Sequence, residues 1–216
     1  MLFIALHVCD GIWKPSLLRG PYLYFWLYDL FAWVVVPTSA FAALHRWTAL
    51  STEDYGLVAQ LGWKDLVHVL PLPLFALFVV HLFAYSFAQG IFPNSKPEFS
   101  YITALRPLGS SWILGTIYLA VTAGVIESIF YIGLPWFCLR RILNTSINTR
   151  RSFALITAVV FAAAHHENGA PGVVAAFFFQ FVAASWFFKL RTLWPIIGAH
   201  ALIDVYYFWP WPWARV

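Results

Sequence analysis

Charge is what this chain has least of. Asp, Glu, Lys and Arg make up only 10% of its 216 residues, against about 25% in a soluble domain. With 62% hydrophobic residues and a mean hydropathy of +0.75, there is too little polar surface to cover a water-soluble globule. The solvent is lipid. Strand-like alternation is missing from the apolar runs, which argues against an outer-membrane barrel. Cysteine is scarce too: Cys9 and Cys138 lie far apart without metal-ligand spacing. A disulfide between them has no sequence support, and Cys138, near a helix end, is expected to act as a small apolar filler. A GxSxG elbow is absent and neither cysteine has a histidine signature nearby, so serine and cysteine hydrolases are poorly supported. No repeat or low-complexity linker divides the chain, which is read as one transmembrane domain, 1–216. The net charge of +4 comes from basic residues scattered over loops, a pattern of membrane orientation with no sign of nucleic-acid binding.

What remains is a set of apolar runs, several of them roughly 17–25 residues long, enough for a bilayer-spanning helix. The expected fold is all-α, a polytopic transmembrane helix bundle of about six spans near 21–44, 66–88, 112–139, 152–165, 172–188 and 193–209. A seventh span is conceivable at the N-terminus. The opening MLFIALHVC lacks a basic n-region and a cleavage site, so it is read as an interfacial or partial segment and not as a cleaved signal peptide. Alternate loops carry eight basic residues on one side and five on the other, which puts the RRILNTSINTRR block in the cytoplasm. The aromatic tail WPWPWARV suits anchoring at the membrane interface.

Ionisable side chains are costly in hydrocarbon, so inside spans they point to function. Glu127 lies in GTIYLAVTAGVIESIFYIG, His165 ends FALITAVVFAAAH, and His200 and Asp204 share LWPIIGAHALIDVYYF. At ~1.5 Å rise per residue, measured from the expected cytoplasmic helix ends, Glu127 and Asp204 lie roughly 18 Å deep, His165 roughly 20 Å and His200 about 12 Å. Three helices thus bring four polar groups to similar depth. His200 and Asp204, four apart, share a helix face, as do Glu127 and Tyr131. Gly115, Gly124 and Gly133 offer small surfaces for close helix approach. Asp29, His68 and His81 are read as packing residues. A carboxylate with two imidazoles is equipment for general acid–base chemistry. A zinc protease is the rival: HExxH from His166 fails because position 170 is Ala170, although Glu127, His165, His200 and Asp204 offer N and O ligands.

These residues resemble the CAAX protease and bacteriocin-processing family of intramembrane glutamic endopeptidases. Its Phe-x-x-x-His motif stands as Phe161-Ala-Ala-Ala-His165, and its His-x-x-x-Asn/Asp motif as His200-Ala-Leu-Ile-Asp204. Of its Glu-Glu-x-x-x-Arg motif, Glu127 is kept; Ser128 replaces the second Glu and Ile132 the Arg. The likeness covers about 110–209. Losing the second Glu and the Arg together is physically coherent, since losing one would strand a buried charge.

The resemblance implies an intramembrane endopeptidase in which Glu127 and His165 activate water, without a metal cofactor. It further implies that His200 stabilises the oxyanion and that Asp204 orients His200 or holds it as imidazolium. It also implies a membrane-anchored protein or peptide substrate, a lipid-bilayer setting, and residence in a bacterial cytoplasmic membrane. A non-catalytic scaffold of the same fold and a proton-coupled transporter are the competing functions; the transporter lacks visible inverted repeats. The Gly/Pro-rich turn 168–172 is expected to be a connecting loop near the cavity mouth, with His166 as a candidate second partner.

Overall fold

The computed structural model describes residues 2–19, 21–47, 51–57, 62–97, 100–143 and 146–210. Among them all regular structure is helical and no strand forms. The helices are α1 (Leu2–Leu17), α2 (Tyr22–Leu30), α3 (Val36–Trp47), α4 (Trp63–Val69), α5 (Pro71–Ile91), α6 (Tyr101–Leu105), α7 (Trp112–Ser128), α8 (Leu134–Ile142), α9 (Ile147–Ala164), α10 (Gly169–Leu190) and α11 (Trp194–Phe208). The tail Trp211–Val216, expected to anchor at the interface, lies outside the described residues.

Among the described residues, four helical stretches are long and apolar enough to cross a membrane: Tyr22–Trp47, Lys64–Ile91, Tyr101–Ile142 and His166–Leu190. This is an integral membrane protein. The fourth and sixth expected spans are helices of a different kind. Capping sets the start of α9: Ser146 Oγ accepts from the Thr149 backbone N–H at 3.2 Å, so the helix begins at Ile147 and includes Arg150 and Arg151. The helix α11 has 15 residues, ~22 Å at 1.5 Å per residue, short of the ~30 Å hydrocarbon core. Both short helices pack on longer ones, α9 against α10 and α11 against α7 and α5. On the outside of α5, Leu72, Phe75, Phe83 and Phe87 are 60–74% exposed. In water such a face would drive aggregation; against lipid tails it is the ordinary surface. Cys138 is exposed as well, so it does not fill the core, and both cysteines are free.

Two of the spans are wound unevenly. Residues Phe31–Val35 and Ile129–Gly133 form π turns, joining α2 to α3 and α7 to α8. Each ends two residues before a proline, Pro37 or Pro135. A proline has no N–H for the carbonyl four residues back, and widening the turn relieves the clash of its ring. Such turns favour functional sites: the first places Trp33 in the wall of a cavity that Glu127, just before the second, also lines.

The wide turn at 129–133 also lets the chain come close to the 51–57 connection. A Cβ added to Gly133 would collide with the Tyr55 carbonyl oxygen and approach Leu193 Cδ1 to 2.8 Å. The carbonyl belongs to a segment tied down by Leu193 N–H donating to Gly56 O at 2.7 Å and by Arg140 Nη2 donating to Asp54 Oδ1 at 2.8 Å. Backbone N–H donation from Ser51, then its hydroxyl and Arg140, holds the Asp54 carboxyl below its usual range. Gly133→Ala is therefore expected to cost about 1–3 kcal/mol, read as a lowered unfolding midpoint in detergent. An unchanged midpoint would mean that the connection yields.

Candidate functional site

A cavity of about 440 Å³ lies among α1, α7, α9, α10 and α11, with Glu127, His165, His200 and Asp204 on its wall. The four arrive from three elements. Glu127 is the penultimate residue of α7, just before the π turn. His165 follows the last residue of α9. His200 and Asp204 stand one turn apart on α11. Close approach of α7 and α11 brings them together: a Cβ on Gly124 would sit 3.0 Å from Ala201 Cβ and from Ile197 O.

The Glu127 carboxylate is buried, 5% exposed, with imidazole nitrogens near both oxygens. His165 Nε2 is 3.9 Å from Oε1 and His200 Nε2 is 3.5 Å from Oε2. Asp204 Oδ2 is also 3.5 Å from His200 Nε2, so one ring nitrogen faces two carboxylates. His165 Nδ1 donates to the Phe161 carbonyl at 2.8 Å. A carbonyl only accepts, so Nδ1 carries the hydrogen and the neutral ring turns its Nε2 lone pair toward Glu127. Burial of Glu127 Oε2 and Ser128 Oγ leaves both without a hydrogen-bond partner among the described residues.

Sequence reasoning left out the N-terminal helix. The opening segment forms a helix that joins the site: α1 packs on α9, α2 and the 166–168 turn and places His7 and Lys14 in the cavity wall. His7 Nε2 is 3.9 Å from Glu127 Oε1, and its Nδ1 shares a 2.8 Å hydrogen bond with Tyr131 OH. The Trp33 ring from the first π turn packs edge-on against it, centroids 4.6 Å apart. Lys14 Nζ lies 3.6 Å from Asp29 Oδ1 and is hydrogen-bonded to Tyr101 OH. The hydroxyls of Tyr101 and Tyr118 each donate to Asp29 at 3.1 Å. Asp29 is thus more than a lone packing residue. The signal was present: His7 and Lys14 are seven apart, two helical turns, and so share a face of an apolar helix.

Other candidates fall differently. His81 lines the cavity and packs on Tyr207 and Phe179, ring centroids 4.8 and 6.1 Å away, whereas His68 is exposed. The expected loop 168–172 is largely helical, since α10 already starts at Gly169; Glu167 and Asn168 of the turn after α9 and Gly172 of α10 line the cavity wall. His166 is not among its lining residues and stands 3.8 Å from Glu167 Oε2. The positions of the missing family charges are informative. Ser128 and Ile132 are 3% and 1% exposed, and Ile132 sits in the apolar core, where an arginine without its acid would be stranded.

No curated protein and no solved structure significantly matches the chain. One family model does, and its stretch holds Glu127, His165, His200 and Asp204: residues 109–206 are similar to the family described as Type II CAAX prenyl endopeptidase Rce1-like.

Proposed function

We propose that the protein is an intramembrane endopeptidase that hydrolyses a peptide bond in a membrane-anchored protein or peptide, with Glu127 as general base. The observation that carries this reading is the imidazole nitrogen beside each oxygen of one buried carboxylate. A 3.9 Å gap between His165 Nε2 and Glu127 Oε1 is too long for a hydrogen bond. It is the span that one water oxygen bridges with two ~2.8 Å bonds meeting near a right angle. That water gives its proton to Glu127 while its oxygen attacks the scissile carbonyl carbon; the lone pair of His165 Nε2 accepts its second hydrogen and aims it. The carbonyl oxygen gains negative charge on the far side of the carboxylate. There His200 Nε2–H, facing Glu127 Oε2, is placed to donate to it. Glu127 then returns its proton to the departing amine, so base becomes acid within one cycle. No metal takes part. The membrane is proposed to be a bacterial cytoplasmic membrane.

The test is cleavage of a panel of membrane-anchored peptides by purified protein in detergent, with and without chelator. Cleavage that survives chelation supports this mechanism; loss on chelation and recovery with zinc overturns it in favour of a metalloprotease. Asp204→Asn offers a finer check. An asparagine amide donates toward the oxyanion without carrying charge, and it is the commoner residue of the resembled family. Its kcat is expected to stay within about tenfold of the parent, whereas His200→Ala loses about 10²–10³-fold. Equal losses would mean that Asp204 itself is needed as an acid.

A further inference from the structure

We infer that His7, Glu127 and His165 form a site for a divalent cation of the zinc class. One ligand atom from each lies within 4.8 Å of the other two. Two imidazole nitrogens and a carboxylate oxygen are the donors such ions prefer. A metal ion equidistant from the three would lie at most roughly 2.5 Å from each atom, so contraction by a few tenths of an ångström brings it to the ~2.0–2.2 Å of zinc–nitrogen and zinc–oxygen bonds.

The outer atoms of both rings are already fastened. His165 Nδ1 donates to the Phe161 carbonyl and His7 Nδ1 bonds the Tyr131 hydroxyl, each at 2.8 Å. The phenol oxygen can accept from His7 Nδ1–H, and metal binding selects that tautomer, with Nε2 as the ligand atom on the Glu127 side, as in His165. Partners of this kind fix the tautomer and orientation of metal-binding histidines. The donor set draws on α1, so it is not a set of family motif positions: His7 comes from outside the matched stretch 109–206.

The cation occupies the place of the water between Glu127 and His165. Binding therefore silences hydrolysis reversibly, a consequence that rests on the function proposed above; the site itself does not. Helix α1 thus supplies the ligand that makes the enzyme sensitive to free transition-metal ions.

Cobalt(II) reports the site without any substrate. Chelator-stripped full-length protein in detergent is titrated with Co²⁺, followed by the visible absorption of four- or five-coordinate cobalt, and then competed with Zn²⁺. The expected result is a one-to-one band displaced by zinc. His7→Ala should weaken zinc binding by more than about 100-fold, and Tyr131→Phe, which loses only the orienting bond, by about 10–100-fold. His68→Ala, an exposed histidine on α4, should leave it unchanged. Size-exclusion profiles and unfolding midpoints check that the variants are folded. Absence of a band in the parent, or a band undiminished in both His7→Ala and Tyr131→Phe, overturns the site. Failure of all peptide cleavage would count against the proposed hydrolysis and leave the cobalt result standing.

Discussion

Glu127→Gln is expected to reduce peptide cleavage by about 10²–10⁴-fold, the range that a positioned general base contributes, while the protein stays folded. The amide keeps the volume and planar shape of the carboxyl group, so packing around position 127 is preserved. It cannot take a proton from water. Nor does its loss of charge weaken the fold, because a carboxylate 5% exposed within hydrocarbon costs desolvation and contributes little stability. An unfolding midpoint at or above that of the parent, combined with lost turnover, separates chemistry from collapse. His165→Ala should fall nearly as far, since a base and the group aiming its water act as a unit whose losses do not add. Full turnover by either variant would exclude the proposed mechanism.

How far the sequence anticipated this site depends on where the energetic signal lies. Glu127, His165, His200 and Asp204 stand out because each interrupts a long apolar run and is expensive there. Rise per residue along a helix then suffices to place them at similar depth, and they do line one cavity. His7 and Lys14 carry the same signal in a run too short to count as a span, so their shared face went unused. The π turns are harder to read. Pro37 and Pro135 mark where a helix must adjust, but proline also kinks helices or sits in their first turn. Nothing local to the sequence says that the adjustment will be a widened turn. Once it is, Asp29 and Trp33 precede and occupy one such turn, as Glu127 and Tyr131 do the other. Each pair meets α1: Lys14 pairs with Asp29, and His7 packs on Trp33, bonds Tyr131 and faces Glu127. The limits of α9 and α11 escaped for a related reason. Hydrophobic runs locate lipid-compatible segments, whereas caps and prolines decide where helices begin.

Asp29→Leu and Lys14→Met should each destabilise the protein by about 3–5 kcal/mol, and the double variant by much less than their sum. Asp29 is fully buried and Lys14 is 3% exposed, so removing either leaves the other's charge in hydrocarbon, the costly half of breaking a buried pair. Removing both deletes that cost. The Lys14 ammonium keeps some stabilisation from the Tyr101 and Trp33 rings, 4.6 and 5.1 Å away, worth about 0.5–2 kcal/mol for contacts of this type, too little to compensate for the lost carboxylate. Unfolding free energies of the parent, the two single variants and the double variant in one detergent give the coupling directly. A coupling of several kcal/mol establishes the pair as the fastening of α1 to the first span. The site feels the same change: Lys14 and His7 ride on one helix, so loosening the first displaces the second from Glu127. Cobalt affinity should then fall in both single variants and recover in the double. Additive stabilities with unaltered cobalt binding would instead mean that the apolar face of α1 holds it in place, with the ion pair a passenger.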